Sequence, residues 1–255
     1  MKLNNRLMMI TKQIPQCNIL ADVGTDHAFI PIYAVKHEIC AKALAADLRE
    51  GPLKIAHENI KKHKLENSIE TRLGNGLQPI SLSECDVIVI AGMGGQLIKD
   101  ILAASLEKAH KAKMLLLQPN NAADSLRRWL DGNGFHIVGE TLALDAGKLY
   151  CIMKVKWTGT VVEKDDFAYY IGEKLLESRD PLLKRYLEKK LGELEVIIEG
   201  RSKSKAAGKC RLENLGEKLE ESEGSEKLET FQASVIDIDY YRHIRDRIEK
   251  YMADL

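Results

Sequence analysis

The sequence predicts an α/β fold, a doubly wound and mostly parallel sheet followed by a separate helical hairpin. Three observations lead there. Short apolar runs alternate with helical patterns through residues 1–159, as in chains that build a parallel sheet from strand–helix units. Glycines, acids or amides close five of those runs at their carboxyl ends, the edge at which such sheets bind ligands. Near Trp157-Thr158-Gly159 the composition shifts: residues 1–159 carry 20 Lys+Arg and 16 Asp+Glu, and the shorter stretch 160–255 carries 18 and 22. The domains are therefore predicted as 1–159 and 160–255.

Taken in order, Leu3, Leu7, Ile10 and Ile14 repeat at helical spacing, and Pro15 closes this opening helix. Strands are predicted at Asn18–Val23, Lys42–Asp47, Ile69–Leu73, Asp86–Ala91, Met114–Gln118, Ile137–Leu144 and Tyr150–Val155. Helices fall between most of them, at Pro31–His37, Gly51–His63, Gln96–Glu107 and Ala122–Asn133. The last two strands have no helix between them, only Asp145-Ala146-Gly147-Lys148, which predicts an antiparallel hairpin at the sheet edge. In the tail, Asp180-Pro181 reads as an N-cap and first helical residue. Leu183, Leu187, Leu191, Leu194 and Ile198 follow as one apolar stripe, and Tyr241, Ile244, Ile248, Tyr251 and Leu255 form a second. Two stripes predict an antiparallel hairpin or short coiled coil. Gly200–Arg211 between them holds five cations and no anion. It reads either as a solvated hairpin tip or as an arm that contacts phosphate.

Composition narrows the function classes. With 38 Lys+Arg against 38 Asp+Glu, no global charge draws the chain onto nucleic acid or an anionic membrane, so any such binding needs local patches. Five scattered cysteines without a CxxC pair argue against a disulfide scaffold and against a metal site, and for a reducing cytoplasm. Charges interrupt the first dozen residues too early for a signal peptide. No apolar run nears the roughly 20 residues that span a bilayer, so no membrane association is expected.

The chemistry-bearing motifs sit at the predicted strand ends. Asp22-Val23-Gly24-Thr25-Asp26-His27 closes the first strand. Gly24 permits a tight turn, while the extra carboxylates would repel a pyrophosphate and favour an ammonium or sulfonium; a turn with capping aspartates is the bland alternative. Asp47, 25 residues after Asp22, is placed either to accept both hydroxyls of a ribose or to cap the next helix. Gly74-Asn75-Gly76 makes a turn whose amide can reach a base edge. Gly92-Met93-Gly94-Gly95 implies close backbone approach, to a ligand or to the next helix. Gln118-Pro119-Asn120-Asn121 sets amides at a strand tip, suited to reading a base or to capping. Each motif alone is weak; their placement on one sheet edge is the signal.

DVGTDHAFIP, AADLREGPL, RLGNGL, VIVIAGMGG and LQPN…LRRWL, in this order, resemble the bacterial tRNA (adenine-N1)-methyltransferases that modify adenine 22 of tRNA. The resemblance covers residues 3–158 closely and the helical tail in kind. It implies a class I Rossmann-like methyltransferase domain, S-adenosyl-L-methionine as donor and tRNA as acceptor. Phe29 stands where the family pattern has tyrosine, so a hydroxyl there is not required, while an aromatic face is kept.

On that resemblance Asp22, Gly24 and Asp26 surround the methionine moiety, Asp47 the ribose and Asn75 the adenine edge. Gly92 and Met93 line the floor beside the methyl, and Gln118 and Asn120 face the target base. Asp26 and His27 support charge arriving on the adenine, and Phe29 stacks on it. Arg127 and Arg128, with Lys61–Lys64 and Lys108–Lys113, are the candidate tRNA contacts, although either arginine could pair internally. Two other readings compete: a methyltransferase of a small molecule or protein, and a non-catalytic domain that binds RNA or a partner. The oligomeric state stays open, with a monomer compatible.

Overall fold

The computed structural model describes the backbone of residues 3–215 and 238–255, and the side chains of 3–203 and 238–255. The chain divides into two compact units, Met1–Leu182 and Leu183–Leu255.

In the first unit α1 (Asn5–Gln13) begins where the Asn4 side chain accepts from the Leu7 amide at 2.9 Å. It leads into β1 (Cys17–Val23), α2 (Phe29–Lys36), β2 (Cys40–Asp47), α3 (Glu50–Lys62) and β3 (Ile69–Leu73). There follow β4 (Val87–Met93), α4 (Gly95–Ala103), α5 (Leu106–Lys111), β5 (Met114–Pro119) and α6 (Ala123–Gly132). The hairpin β6 (Phe135–Asp145) and β7 (Lys148–Trp157) completes a sheet of order β3-β2-β1-β4-β5-β7-β6. The first five strands run parallel, and β7 pairs antiparallel with both β5 and β6. The turn closes as expected, with Ala146 and Gly147 both at positive φ (46° and 78°), the conformation that matches strand twist. Val87 to Ile90 are at most 1% exposed, because a central parallel strand is covered on both faces. β1 pairs with β2 on one side and β4 on the other. The strand order reverses there, so the crevice at the carboxyl ends of β1 and β4 is the ligand position of this fold class.

Three expectations are corrected. The helix predicted over Gln96–Glu107 is two helices, because Ser105 leaves helical geometry (φ −145°, ψ 46°). This turns α5 so that Lys108 donates to the Leu77 and Gln78 carbonyls at 2.8 and 3.1 Å. Together with the Lys113–Asp86 pair at 2.9 Å, it uses part of the Lys108–Lys113 cluster internally. The composition shift near Gly159 comes before the break between compact units. Residues 160–182, including α7 (Glu173–Ser178), form a strap that stays with the first unit: Lys164 pairs with Asp131 at 3.1 Å and Glu173 at 3.2 Å.

The third correction concerns the second unit, which holds α8 (Leu183–Leu215) and α9 over 238–253. Helix α8 begins after Asp180-Pro181, where the Asp180 carboxylate accepts the Leu182 and Leu142 amides, both at 2.9 Å. It continues unbroken through Gly200–Arg211, so that segment is helix and not a hairpin tip. Glu199 and Lys203, one turn apart, pair at 2.7 Å and support it. The side chains of Lys205, Lys209 and Arg211 lie outside the described residues. Arg201 packs over the Tyr241 ring at 5.1 Å, and Arg245, held by Asp246, also faces Glu195; residue numbers rise on one helix as they fall on the other, so the two are antiparallel. Leu187, Leu194, Ile244 and Ile248 are all fully buried, while Leu255, placed on the second stripe, is 60% exposed.

Candidate active site

β1 ends in a buried carboxylate. Asp22 is 6% exposed, and the chain turns at Gly24 with φ +78°. A side chain at Gly24 would overlap the Met93 methyl, and the Gly24 and Thr25 amides are tied to the Ala46 carbonyl at 2.8 and 3.0 Å. The turn thus joins β1, β2 and β4 at one point. Asp26 and His27 project from it, paired at 3.1 Å and both open to solvent. The His27 ring stacks on Phe29 with centroids 4.9 Å apart. Asp22, Gly24, Asp26, His27 and Phe29 line one cavity of about 240 Å³ together with Arg6 of α1.

Asp47 closes β2 at 8% exposure, its carboxylate oriented by the Arg49 amide at 2.8 Å. Beside it, the Gly74 amide donates to the Asp47 carbonyl at 3.0 Å, and Asn75 is exposed at the lip. The glycines after β4 divide their work. Gly92 adopts φ +81° with the Arg6 guanidinium against it. At Gly95 a Cβ would collide with the Ala122 and Asn121 carbonyls, and its amide donates to Asn121, which is the packing reading.

The amides after β5 do not act alike. Gln118 is 1% exposed: its Oε1 accepts from Arg6 at 2.7 Å, and its Nε2 donates to the Pro119 carbonyl at 3.1 Å and to Asn120 Oδ1 at 3.0 Å. The expectation that Gln118 faces a base is corrected, because its amide is spent on neighbours. Asn120 is exposed, and its amide donates to the Gly92 carbonyl at 2.7 Å. A run of hydrogen bonds from Arg6 through Gln118 and Asn120 to Gly92 therefore sets the Asn120 orientation. Sequence reasoning missed Arg6, which also lies over the Tyr150 ring at 5.6 Å. The available signal was a cation beside the apolar stripe of the opening helix. Among the described residues, no group of three or more His, Cys, Asp or Glu is placed to hold a metal, and no helix is long and apolar enough to cross a membrane.

A family model described as a methyltransferase domain matches residues 3–153. The chain belongs to that methyltransferase family. The tRNA (adenine(22)-N(1))-methyltransferase of Bacillus subtilis strain 168 is 37% identical over 153 residues, 60% of this chain and 64% of that enzyme, so the match spans less than two thirds of its length. A Streptococcus pneumoniae candidate tRNA (m1A22) methyltransferase, solved with S-adenosyl-L-methionine, is 31% identical over 96% of this chain and 100% of its own, with a TM-score of 0.75. The crystal structure of the B. subtilis m1A22 tRNA methyltransferase is 26% identical, covers 96% of this chain and 99% of its own, and has a TM-score of 0.74. The likeness read from the motifs agrees with these comparisons.

Of the two arginines expected to contact tRNA, Arg127 departs from that role in this methyltransferase and Arg128 remains at the surface. Arg127 is 2% exposed and inside the protein. Its Nε donates to Glu140 at 2.8 Å and its Nη1 to the Tyr169 carbonyl at 2.8 Å, so it anchors the strap. Arg128, 40% exposed, pairs with Asp166 and lies over the Tyr169 ring at 4.4 Å.

Burial pushes the Asp22 carboxyl up to about 6, against the pull of the Arg6 guanidinium. A carboxyl whose proton affinity is raised by folding stabilises the protein below its unfolded value, and this contribution is lost as pH rises through the folded value. The ligand-free methyltransferase should therefore lose stability between pH about 4 and about 6 more steeply than Asp22→Asn does. Melting temperatures across that range check this; parallel curves for the two proteins would remove Asp22 as the source.

Proposed function

We propose that this methyltransferase carries the methyl group of S-adenosyl-L-methionine to N1 of adenine 22 in tRNA, in the cytoplasm. The full-length likeness to m1A22 enzymes carries this reading. The site residues fit the donor. Asp22 is a buried carboxylate with raised proton affinity, suited to a cationic ammonium, and Asp26 and the Gly24 turn flank the same end. Asp47 accepts the ribose hydroxyls, Asn75 reaches the adenine edge, and Gly92 with Met93 forms the floor. Carboxylates at both Asp22 and Asp47 speak against a non-catalytic domain.

When bound, the donor supplies an electrophilic methyl on a sulfonium. Adenine N1 already carries an in-plane lone pair, so the protein need not remove a proton before attack. Its residues work by positioning and by electrostatic support. The exposed Asn120 amide offers both a donor and an acceptor to the base, held in orientation by Gln118 and Arg6. Asp26 and His27 face the charge that arrives on the ring. Unstacking the target base costs a few kcal/mol, which the Phe29 face offsets by stacking.

Incubating the protein with donor and tRNA, then mass spectrometry of a full nucleoside digest and of the ribonuclease fragment that holds position 22, tests the reaction. 1-Methyladenosine at position 22 is expected; methylation of another nucleoside, or none, rejects the assignment. Asn120→Ala and Gln118→Ala should each slow turnover by roughly a hundredfold while donor affinity stays within about twofold. Either variant losing the donor but turning over normally at saturation would place this loop on the donor side.

A further inference from the structure

At the opposite edge of the sheet, Cys17 opens β1 and Cys40 opens β2, and the two are direct partners across the parallel pair. Neighbouring strands lie about 4.8 Å apart, within the Cα separation of about 4.4–6.8 Å that a disulfide bridges. Paired positions point to the same face, and the Cys17 thiol donates to the Ile39 carbonyl beside Cys40 at 3.8 Å. Both line a cavity of about 550 Å³ with Glu38 and Lys113. Cys17 is partly exposed and Cys40 is buried at 3%. We infer that Cys17 and Cys40 form a peroxide-reactive dithiol that closes a disulfide between β1 and β2, with Cys17 as the attacking group and Cys40 as the resolving one.

Exposure sets the parts, since peroxide reaches the partly exposed Cys17 before the buried Cys40. The neighbouring Cys40 thiol and the Lys113 ammonium draw the Cys17 thiol below its ordinary range against burial and the Asp86 carboxylate, while Cys17 and burial push Cys40 up. The Cys17 thiolate attacks one peroxide oxygen and breaks the O–O bond, giving a sulfenic acid and hydroxide. The Cys40 thiol then attacks that sulfur, forms the S–S bond and releases water. In sum, two thiols and one hydrogen peroxide become one disulfide and two waters. The inference is independent of the tRNA reading. Asp22 lies five positions along β1 from Cys17, about 16 Å, so the ligand edge is spared.

The test is hydrogen peroxide added to the full chain, followed by intact mass and peptide mapping. The expected product is two hydrogen atoms lighter, with the Cys17 and Cys40 peptides joined and restored by dithiothreitol. Its melting temperature should rise by about 5–10 °C, and its methyl-transfer rate should stay within about twofold. Cys40→Ser should stop at a dimedone-reactive sulfenic acid on Cys17, and Cys17→Ser should show neither product. A linkage through another cysteine overturns the inference. So does oxidation of Cys17 to sulfinic acid with Cys40 still open to alkylation in the unfolded chain, or no reaction at Cys17.

Discussion

Asp47→Ala should lose donor affinity by about thirtyfold to several hundredfold. A ribose held by both hydroxyls makes two charge-assisted hydrogen bonds to one carboxylate, together about 2–4 kcal/mol. The carboxylate is already aimed, since the Arg49 amide holds one oxygen at 2.8 Å. Little ordering is left for binding to impose. Asp47→Asn keeps the shape but not the charge, and should fall between wild type and alanine. Calorimetry with S-adenosyl-L-methionine reads the loss, and a melting curve confirms that the variant folds. Unchanged affinity in a folded Asp47→Ala protein would remove the ribose assignment.

Arg127→Met should lower the melting temperature by about 6–20 °C. Removing one member of a buried pair leaves the other charge uncompensated, which costs about 3–5 kcal/mol, at about 2–4 °C per kcal/mol for a chain of this size. Arg127 and Glu140 are only 2% and 1% exposed along their side chains. Arg127→Lys should recover little, because one ammonium cannot serve Glu140 and the Tyr169 carbonyl in the planar geometry of a guanidinium. Arg127→Met with Glu140→Leu should regain most of the loss, since no bare charge remains. If Arg127→Met instead melts normally and loses tRNA affinity, the arginine is a substrate contact after all.

The grouping of Asp22, Gly24, Asp47 and Gly92 at one sheet edge was legible because its parts are local. Asp22, Gly24, Asp47 and the Gly92 turn each belong to the end of one strand, and strand ends share an edge whatever the side chains do. The strand order added no ambiguity, because alternation with helices already implies parallel pairing. The rest of the site depended on partners that no spacing rule reaches. Gln118 looked like a base reader until Arg6, 112 positions away, took its carbonyl oxygen. Arg127 looked like a surface cation because Glu140 lies on the next strand and Tyr169 in a segment assigned to the tail. Ser105 broke a helix whose apolar stripe gave no warning. The boundary near Gly159 was misplaced for a related reason: a charge-rich strap can still belong to the sheet when one of its lysines reaches a buried acid such as Asp131.

The docking of α1 has a kinetic consequence. Asn5 donates its backbone amide to Asp145 across 140 positions, and Arg6 reaches Gln118 across 112. Contacts of such separation close late, because the loop entropy is lost before the bond rewards it. Helix α1 therefore waits for the last hairpin of the sheet before it can seat. Until then Gln118 has no guanidinium to set it, and Asn120 has no fixed direction. A half-folded chain can hold β1 against β2 and still lack the wall proposed to face the base. On the proposed roles, the acceptor side of the site then depends on a contact far longer in sequence than any the Asp47 end needs.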